Sequence, residues 1–367
     1  MISKKNKYIR HFLILSILAS CSSTSDNLIT VYDKSNPKAF QRELHDLYAY
    51  NSFFVNDLKI IQQAIDNQKI SQSELSDLKL LKKNYQRILQ KNKYQIKLNP
   101  RQENSKELIE LIYQFNLPIR ISWDEDQSNV IPTDLLFKKI EGFCSSIYDD
   151  SVNSINREIN KNPGSTLVIY SDQYVSVSKN IKSTNSKIYT ANYDSSDFQE
   201  YAAMILGVDL SENRFKKISS LNPNQVMNFN PRSRSDIKQI VMLLKPQEFR
   251  EMIPALRYYG GNKFKYINFI SSLEGLNSSL QLLDYEDSYT PISLFLSRKI
   301  KNEGIGSIKD FLKNGVLSDW LLDQVLKQAG VQSATKNGAT GAIFYNQSTC
   351  NRREIPFQKI SSDLFSS

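Results

Sequence analysis

The sequence predicts a mixed α/β protein, with parallel sheets covered by helices on both faces, divided into two lobes and preceded by a short helical region. Three observations carry that expectation. Thr166–Ser171 (TLVIYS) and Ile237–Leu244 (IKQIVMLL) are apolar runs too brief for buried helices, set off by Pro163-Gly164 and Pro246. Segments with apolar residues at helical spacing lie between such runs, and strands that alternate with helices build parallel sheets. With 367 residues, 40% of them hydrophobic, the chain affords a sizeable core and about two domains at roughly 150 residues each.

The elements follow in order. Lys4, Lys5, Lys7 and Arg10 precede the eight-residue run Phe12–Ala19, which is too short to cross a hydrocarbon core of about 30 Å. A basic start, a short apolar stretch and small residues after it read as a secretory signal peptide over residues 1–20. Leu18-Ala19-Ser20-Cys21 reads as a lipobox, in which Cys21 is acylated and becomes the mature N-terminus. Each buried CH2 contributes about 0.8 kcal/mol of membrane affinity, so two or more acyl chains anchor stably. The competing reading is an ordinary cleaved signal with an incidental cysteine. Ser22, where inner-membrane lipoproteins of Gram-negative bacteria typically carry Asp, resembles the outer-membrane sorting rule and implies a lipid anchor there, facing the periplasm.

Residues 21–37 are polar and read as a tether. Residues 38–98 read as a helical hairpin: Phe40, Leu44, Leu47, Phe54, Leu58, Ile61 and Ile65 recur at helical spacing, and Ser71-Gln72-Ser73-Glu74 is a capping-box pattern before a second helix. That helix carries Lys79, Lys82, Lys83, Arg87 and Lys91, a basic face of the kind that solvent usually covers. Residues 99–367 form the α/β body, with a first lobe at about 105–195, a second at about 235–330 and a C-terminal hairpin at 338–360. Strands are expected at Leu117–Trp123, Thr166–Ser171, Lys187–Tyr193, Ile237–Leu244 and Lys265–Phe269. Helices are expected at Thr133–Asn160, Ser196–Leu206, Pro246 to about Tyr259, and Asp319–Ala329. Gly260-Gly261 supplies a left-handed helix stop, and the glycines of Gly338–Gly341 mark tight backbone positions.

The catalytic inventory is poor. Formal charge is 47 cations against 38 carboxylates, and loss of the signal leaves 43 against 38, which is too mild to call for nucleic acid. After that loss His45 is the single histidine, in the helical region near the tether, where a surface role is the plain reading. No CxxC, HExxH or P-loop spacing is present, so no metal or cofactor is expected, and Gly304-Ile305-Gly306 reads as a turn. Asp124/Asp126 and Asp149/Asp150 read as solvated doublets. Cys144 and Cys350 remain after lipidation. In an oxidising compartment they form either a disulfide clipping the C-terminal segment to the first lobe, or two buried thiols.

Ser196-Asp197-Phe198, Leu206-Gly207-Val208-Asp209-Leu210-Ser211-Glu212-Asn213-Arg214 and Phe229-Asn230-Pro231-Arg232-Ser233-Arg234-Ser235-Asp236-Ile237 form a recognisable series. It continues through Lys245-Pro246-Gln247-Glu248, Ile253-Pro254-Ala255-Leu256, Gly338-Ala339-Thr340-Gly341 and Arg353-Glu354-Ile355-Pro356-Phe357. Together these resemble the Gram-negative outer-membrane lipoproteins that activate class A penicillin-binding proteins, over roughly residues 196–360. The resemblance implies a C-terminal domain similar to type I periplasmic binding proteins, with two Rossmann-like lobes joined by hinge crossovers. It also implies a non-enzymatic role: docking on a peptidoglycan synthase and stimulating its transpeptidase. Members carry a long N-terminal region of helical repeats, where this chain has one helical hairpin. The alternative is a solute-binding lipoprotein that captures a small ligand between its lobes. A cell-wall hydrolase ranks third, because only His45 offers a histidine base.

Overall fold

The computed structural model describes residues 55–66, 71–90, 94–101, 104–115, 119–124, 131–194, 197–221, 226, 228–230, 232–276, 279–293, 296–297 and 307–361. The signal peptide, Cys21, the tether, His45 and Gly304-Ile305-Gly306 lie outside these residues. The chain divides into two compact units, residues 1–91 and 92–367.

In the first unit, α1 (Val55–Asp66) packs against α2 (Gln72–Gln90). Ile61, Ala64 and Leu78 are buried. The capping box forms as its spacing predicts: the Ser71 amide donates to Glu74 Oε2 at 2.7 Å and the Glu74 amide to Ser71 Oγ at 3.4 Å. Lys82 donates to Gln62 across the pair, while Lys79 and Lys83 face solvent.

The second unit starts with a strand, β1 (Tyr94–Leu98), in a stretch whose sequence reads as the end of the helical region. Tyr94, Ile96 and Leu98 alternate inward, a period of two that the neighbouring helical pattern masks. Through α3 (Ser105–Phe115) the chain returns to β2 (Ile119–Trp123), parallel to β1 in a two-stranded sheet. Residues 133–146, expected to be helical, are turns. Gly142 at φ +87° breaks the helical path, and α4 (Ile147–Lys161) begins only at a capping box in which Ser146 Oγ accepts from the Asp149 amide at 3.1 Å.

Next come β3 (Ser165–Tyr170), β4 (Ile188–Asn192), α5 (Phe198–Ile205), α6 (Val208–Leu221), β5 (Ile237–Leu243), α7 (Pro246–Gly260), β6 (Lys265–Asn268) and β7 (Tyr289–Pro291). Asp197 caps α5 by accepting from the Gln199 and Glu200 amides at 2.8 and 2.9 Å, and α7 ends at Gly261 with φ +57°. The central helix α8 (Ile308–Gln328) is buried around most of its middle turns and packs on α3 and β1. Then β8 (Ser333–Asn337), β9 (Ala342–Asn346) and β10 (Arg352–Glu354) form an antiparallel sheet, and β11 (Phe357–Lys359) closes the chain.

The major sheet has six strands in the order β11-β7-β6-β5-β3-β4, all parallel except β11. The fold is therefore mixed α/β with a parallel-dominated sheet. Ile240 to Leu243 are all buried, as a strand covered on both faces requires. This sheet corrects the expected lobe boundaries. β3 and β4, from the expected first lobe at 105–195, are neighbours of β5 and β6, from the expected second lobe at 235–330. The smaller half instead combines β1, α3 and β2 with α8, which returns from some 200 residues downstream. Contiguous reading cannot see a half made of two distant pieces. The C-terminal hairpin expected at 338–360 exists as β9 and β10, but after Pro356 the chain leaves it and pairs β11 with β7 in the major sheet.

Candidate functional site

In open α/β sheets ligands settle beyond the C-terminal ends of the parallel strands. Here β3 ends at Tyr170 and β6 at Asn268, and the segments that follow carry Tyr174, Phe269, Ser271 and Glu274. The first turn of α4 adds Tyr148 and the preceding turn Phe137. The rings run edge to face in series: Phe137 to Tyr148 at 4.2 Å, Tyr148 to Phe269 at 4.9 Å, and Phe269 to Tyr174 at 5.6 Å. The Tyr148 hydroxyl bonds Glu274, and the Tyr174 hydroxyl bonds Ser271 Oγ at 2.7 Å. Tyr148, Tyr174 and Phe269 are buried, so the chain's own aromatic side chains fill this position.

Burial pushes the Tyr148 phenol far up, and the neighbouring Glu274 charge adds to the effect. Burial also raises the Glu274 carboxyl, against the hydrogen bond from Tyr148 and the charges of Lys309 and Lys313. A phenol held protonated donates to the carboxyl and offers no nucleophile. The arrangement is built to hold shape.

A second cluster joins the two halves. Cys144 and Cys350 are disulfide-bonded, with Cα atoms 4.9 Å apart. Beside them the Cys144 amide donates to the Asn351 carbonyl at 2.9 Å and the Asn351 amide to the Gly142 carbonyl at 2.7 Å, giving an isolated bridge between Phe143 and Asn351. A side chain at Gly142 would meet Asp323 Oδ2 at 2.5 Å, which explains a glycine there. Arg353 Nη1 lies 3.2 Å from Asp150 Oδ2, both side chains being almost wholly buried, and its guanidinium sits over the Phe143 ring at 4.5 Å. Asp150 also accepts from Ser145 Oγ at 2.5 Å.

On α8, Asp319 accepts from the Ala339 and Thr340 amides at 2.6 and 3.0 Å and from the Thr340 hydroxyl. One turn on, Asp323 accepts from Asn351 Nδ2 at 2.7 Å and pairs with Lys327 at 2.8 Å. Burial raises both the Asp150 and the Asp319 carboxyls, and Arg353 opposes it in each case. Covalent, ionic and backbone bonds thus stitch Gly142–Asp150, α8 and β10 into one seam.

Of the sequence candidates, Cys144 and Cys350 lie together in this seam, whereas Cys21 and His45 fall outside the described residues. Asp149/Asp150 is a correction: Asp149 caps α4 at the surface, but Asp150 is buried against Arg353. Asp124 borders β2, and Asp126 is outside the described residues. Arg234 pairs locally with Asp236 at 2.6 Å. Nothing in the sequence singles out Tyr148, Tyr174 and Glu274, which meet only through the fold. Among the described residues no cluster of His, Cys, Asp or Glu is placed to hold a metal, and no helix is long and apolar enough to cross a membrane.

No family model and no curated protein matches this chain. Among solved structures it is similar to full-length LpoA from Haemophilus influenzae, with 11% identity over 86% of this chain and 56% of that one, at a TM-score of 0.37. A second crystal structure of the same protein gives 12% identity, 92% and 71% coverage, and a TM-score of 0.30. An ABC-transporter solute binding protein from Rhodopseudomonas palustris, in complex with 3,4-dihydroxy benzoic acid, gives 10% identity, 73% and 93% coverage, and a TM-score of 0.33.

Proposed function

We propose that this chain is a non-catalytic regulator of peptidoglycan synthesis, lipid-anchored through Cys21 at the outer membrane. It binds a class A penicillin-binding protein and favours its transpeptidase-active conformer. The observation that carries this reading is the closed body: the strand ends are filled by Tyr148, Phe269 and Tyr174, and the seam at Cys144–Cys350 and Asp150–Arg353 ties the halves together. A solute-capturing protein needs an open cleft and a hinge that moves. A regulator needs a fixed surface that discriminates between two states of its partner. The motif series from Ser196 to Phe357 supports the choice of partner.

Coupling of about 1–3 kcal/mol raises an active population 5- to 150-fold. The test adds the purified full chain to a class A penicillin-binding protein and reads peptide cross-linking. We expect a several-fold increase that saturates with the added chain. An unchanged rate with no co-purification overturns the reading. Thermal stabilisation by amino acids, sugars or peptidoglycan fragments, following RT ln(1+[L]/Kd), would replace it with solute capture.

A further inference from the structure

Half of the large apolar side chains exposed among the described residues fall within residues 204–229: Met204, Leu210, Ile218, Leu221, Val226 and Phe229. Single exposed apolar residues are ordinary, but such a concentration marks an interaction surface. Helix α6 organises it. Val208, Ser211, Glu212, Phe215 and Ser219 recur every three or four residues and turn toward the protein. On the opposite face Leu210, Arg214, Lys217 and Leu221 follow at spacings of four, three and four, with Ile218 beside them. Leu210, Ile218 and Leu221 are 61%, 55% and 81% exposed.

The helix is held firmly enough to keep this stripe outward. The Arg234 amide donates to the Leu206 carbonyl at 2.9 Å, and the Arg232 amide to Ser211 Oγ at 3.3 Å. At the other end Phe215 and Phe229 meet at 5.0 Å between ring centres. Lys216 is paired with Glu212 at 2.7 Å, but among the described residues Arg214 and Lys217 meet no carboxylate within ion-pair distance. Two leucines and an isoleucine interleaved with two cations that lack a carboxylate partner among the described residues complement an apolar groove rimmed by carboxylates.

We infer that the Leu210–Leu221 face of α6 is the docking surface for a partner protein offering such a groove. The inference rests on the regulator reading and assigns its contact surface. A lipid bilayer fits less well. An interfacial helix carries its cations on the face opposite its apolar one, whereas here Arg214 and Lys217 lie between the leucines on a single stripe.

The test uses the full chain in detergent and measures affinity for a purified class A penicillin-binding protein. Leu210→Ser with Leu221→Ser, and separately Arg214→Glu with Lys217→Glu, should each weaken binding by about tenfold or more. The charge variant should also lose most of the wild-type salt dependence. Leu280→Ser with Leu283→Ser, exposed elsewhere, serves as control and should stay within about twofold. Unchanged circular dichroism and melting temperature exclude misfolding. Wild-type binding that both α6 variants retain overturns the docking surface and leaves the regulator reading standing. Absence of wild-type binding removes both. Loss of binding to phosphatidylglycerol vesicles, with partner affinity intact, transfers the face to the membrane and overturns the inference.

Discussion

The two halves of residues 92–361 reach stability by different routes. The six-stranded sheet is sequence-local for the most part. β3 through β7 arise in chain order, its central strand β5 is buried on both faces, and α4, α5 and α7 are near neighbours in sequence. The two-stranded sheet has one buried face and depends on elements that arrive late: α8 packs beneath it, and the Gln328 side chain pairs with its edge. A two-stranded sheet is marginal alone. The smaller half therefore takes its order from the seam and from the hydrophobic core it shares with the larger sheet, so damage to the seam should unfold it ahead of the larger one.

Reduction of Cys144–Cys350 should have the largest effect. The bond spans 206 residues, and chain entropy assigns a loop of that length about 5 kcal/mol. Denaturant midpoints with and without reductant, and for Cys144→Ser with Cys350→Ser, measure it. Hydrogen exchange sharpens the comparison: amides of β1 and β2 should lose more protection than those of β5 and β6. Uniform loss across both sheets would mean that the halves melt as one unit.

Breaking the ion pair comes next. Arg353→Ala leaves Asp150 buried without its cation, a loss of about 3–5 kcal/mol where the carboxyl is ionised. Arg353→Met combined with Asp150→Leu should recover most of that loss, because the desolvation cost disappears with both charges. The pH response has a definite sign. Burial already holds the Asp150 carboxyl above its usual range, against Arg353, and removing Arg353 raises it further. The folded variant then keeps a proton that the unfolded chain has released. Its deficit should grow as pH rises through the folded pKa and shrink as pH falls toward the ordinary Asp value of about 3.9. A deficit independent of pH would assign the loss to packing over Phe143 instead.

The sequence made the larger half readable and the seam nearly unreadable, for physical reasons. TLVIYS and IKQIVMLL declare strands because both faces of the sheet are covered, and Pro246, Asp197 and Gly261 mark helix ends by local chemistry. The hairpin of β9 and β10 is equally local. By contrast, Asp150 looks like any surface carboxylate until Arg353, 203 residues away, closes over it. The aromatic series at the strand ends draws on Phe137, Tyr148, Tyr174 and Phe269, four positions with no shared periodicity. Cys144 and Cys350 are the one long-range pair that residue type alone singles out, since a cysteine can bond covalently only to another cysteine.

The smallest effect tests the edge of the smaller sheet. Gln328 Nε2 donates to the Gln95 carbonyl at 2.7 Å, while the Gln95 amide donates to Gln328 Oε1 at 2.9 Å. The side-chain amide thus stands where a neighbouring strand's peptide group would, and it satisfies an edge that invites pairing with another chain. Gln328→Ala should cost only about 0.5–1.5 kcal/mol, because water replaces these partly exposed bonds. The local signature is larger: the Gln95 amide should exchange faster while amides of β5 stay protected. Gln328→Glu separates the two bonds. Its carboxylate still accepts from the Gln95 amide, so exchange there should remain slow, but it repels the Gln95 carbonyl, so stability should fall at least as far as in the alanine variant. If exchange at Gln95 is the same in all three proteins, the edge is not held by this side chain, and the smaller sheet takes its order from α8 packing alone.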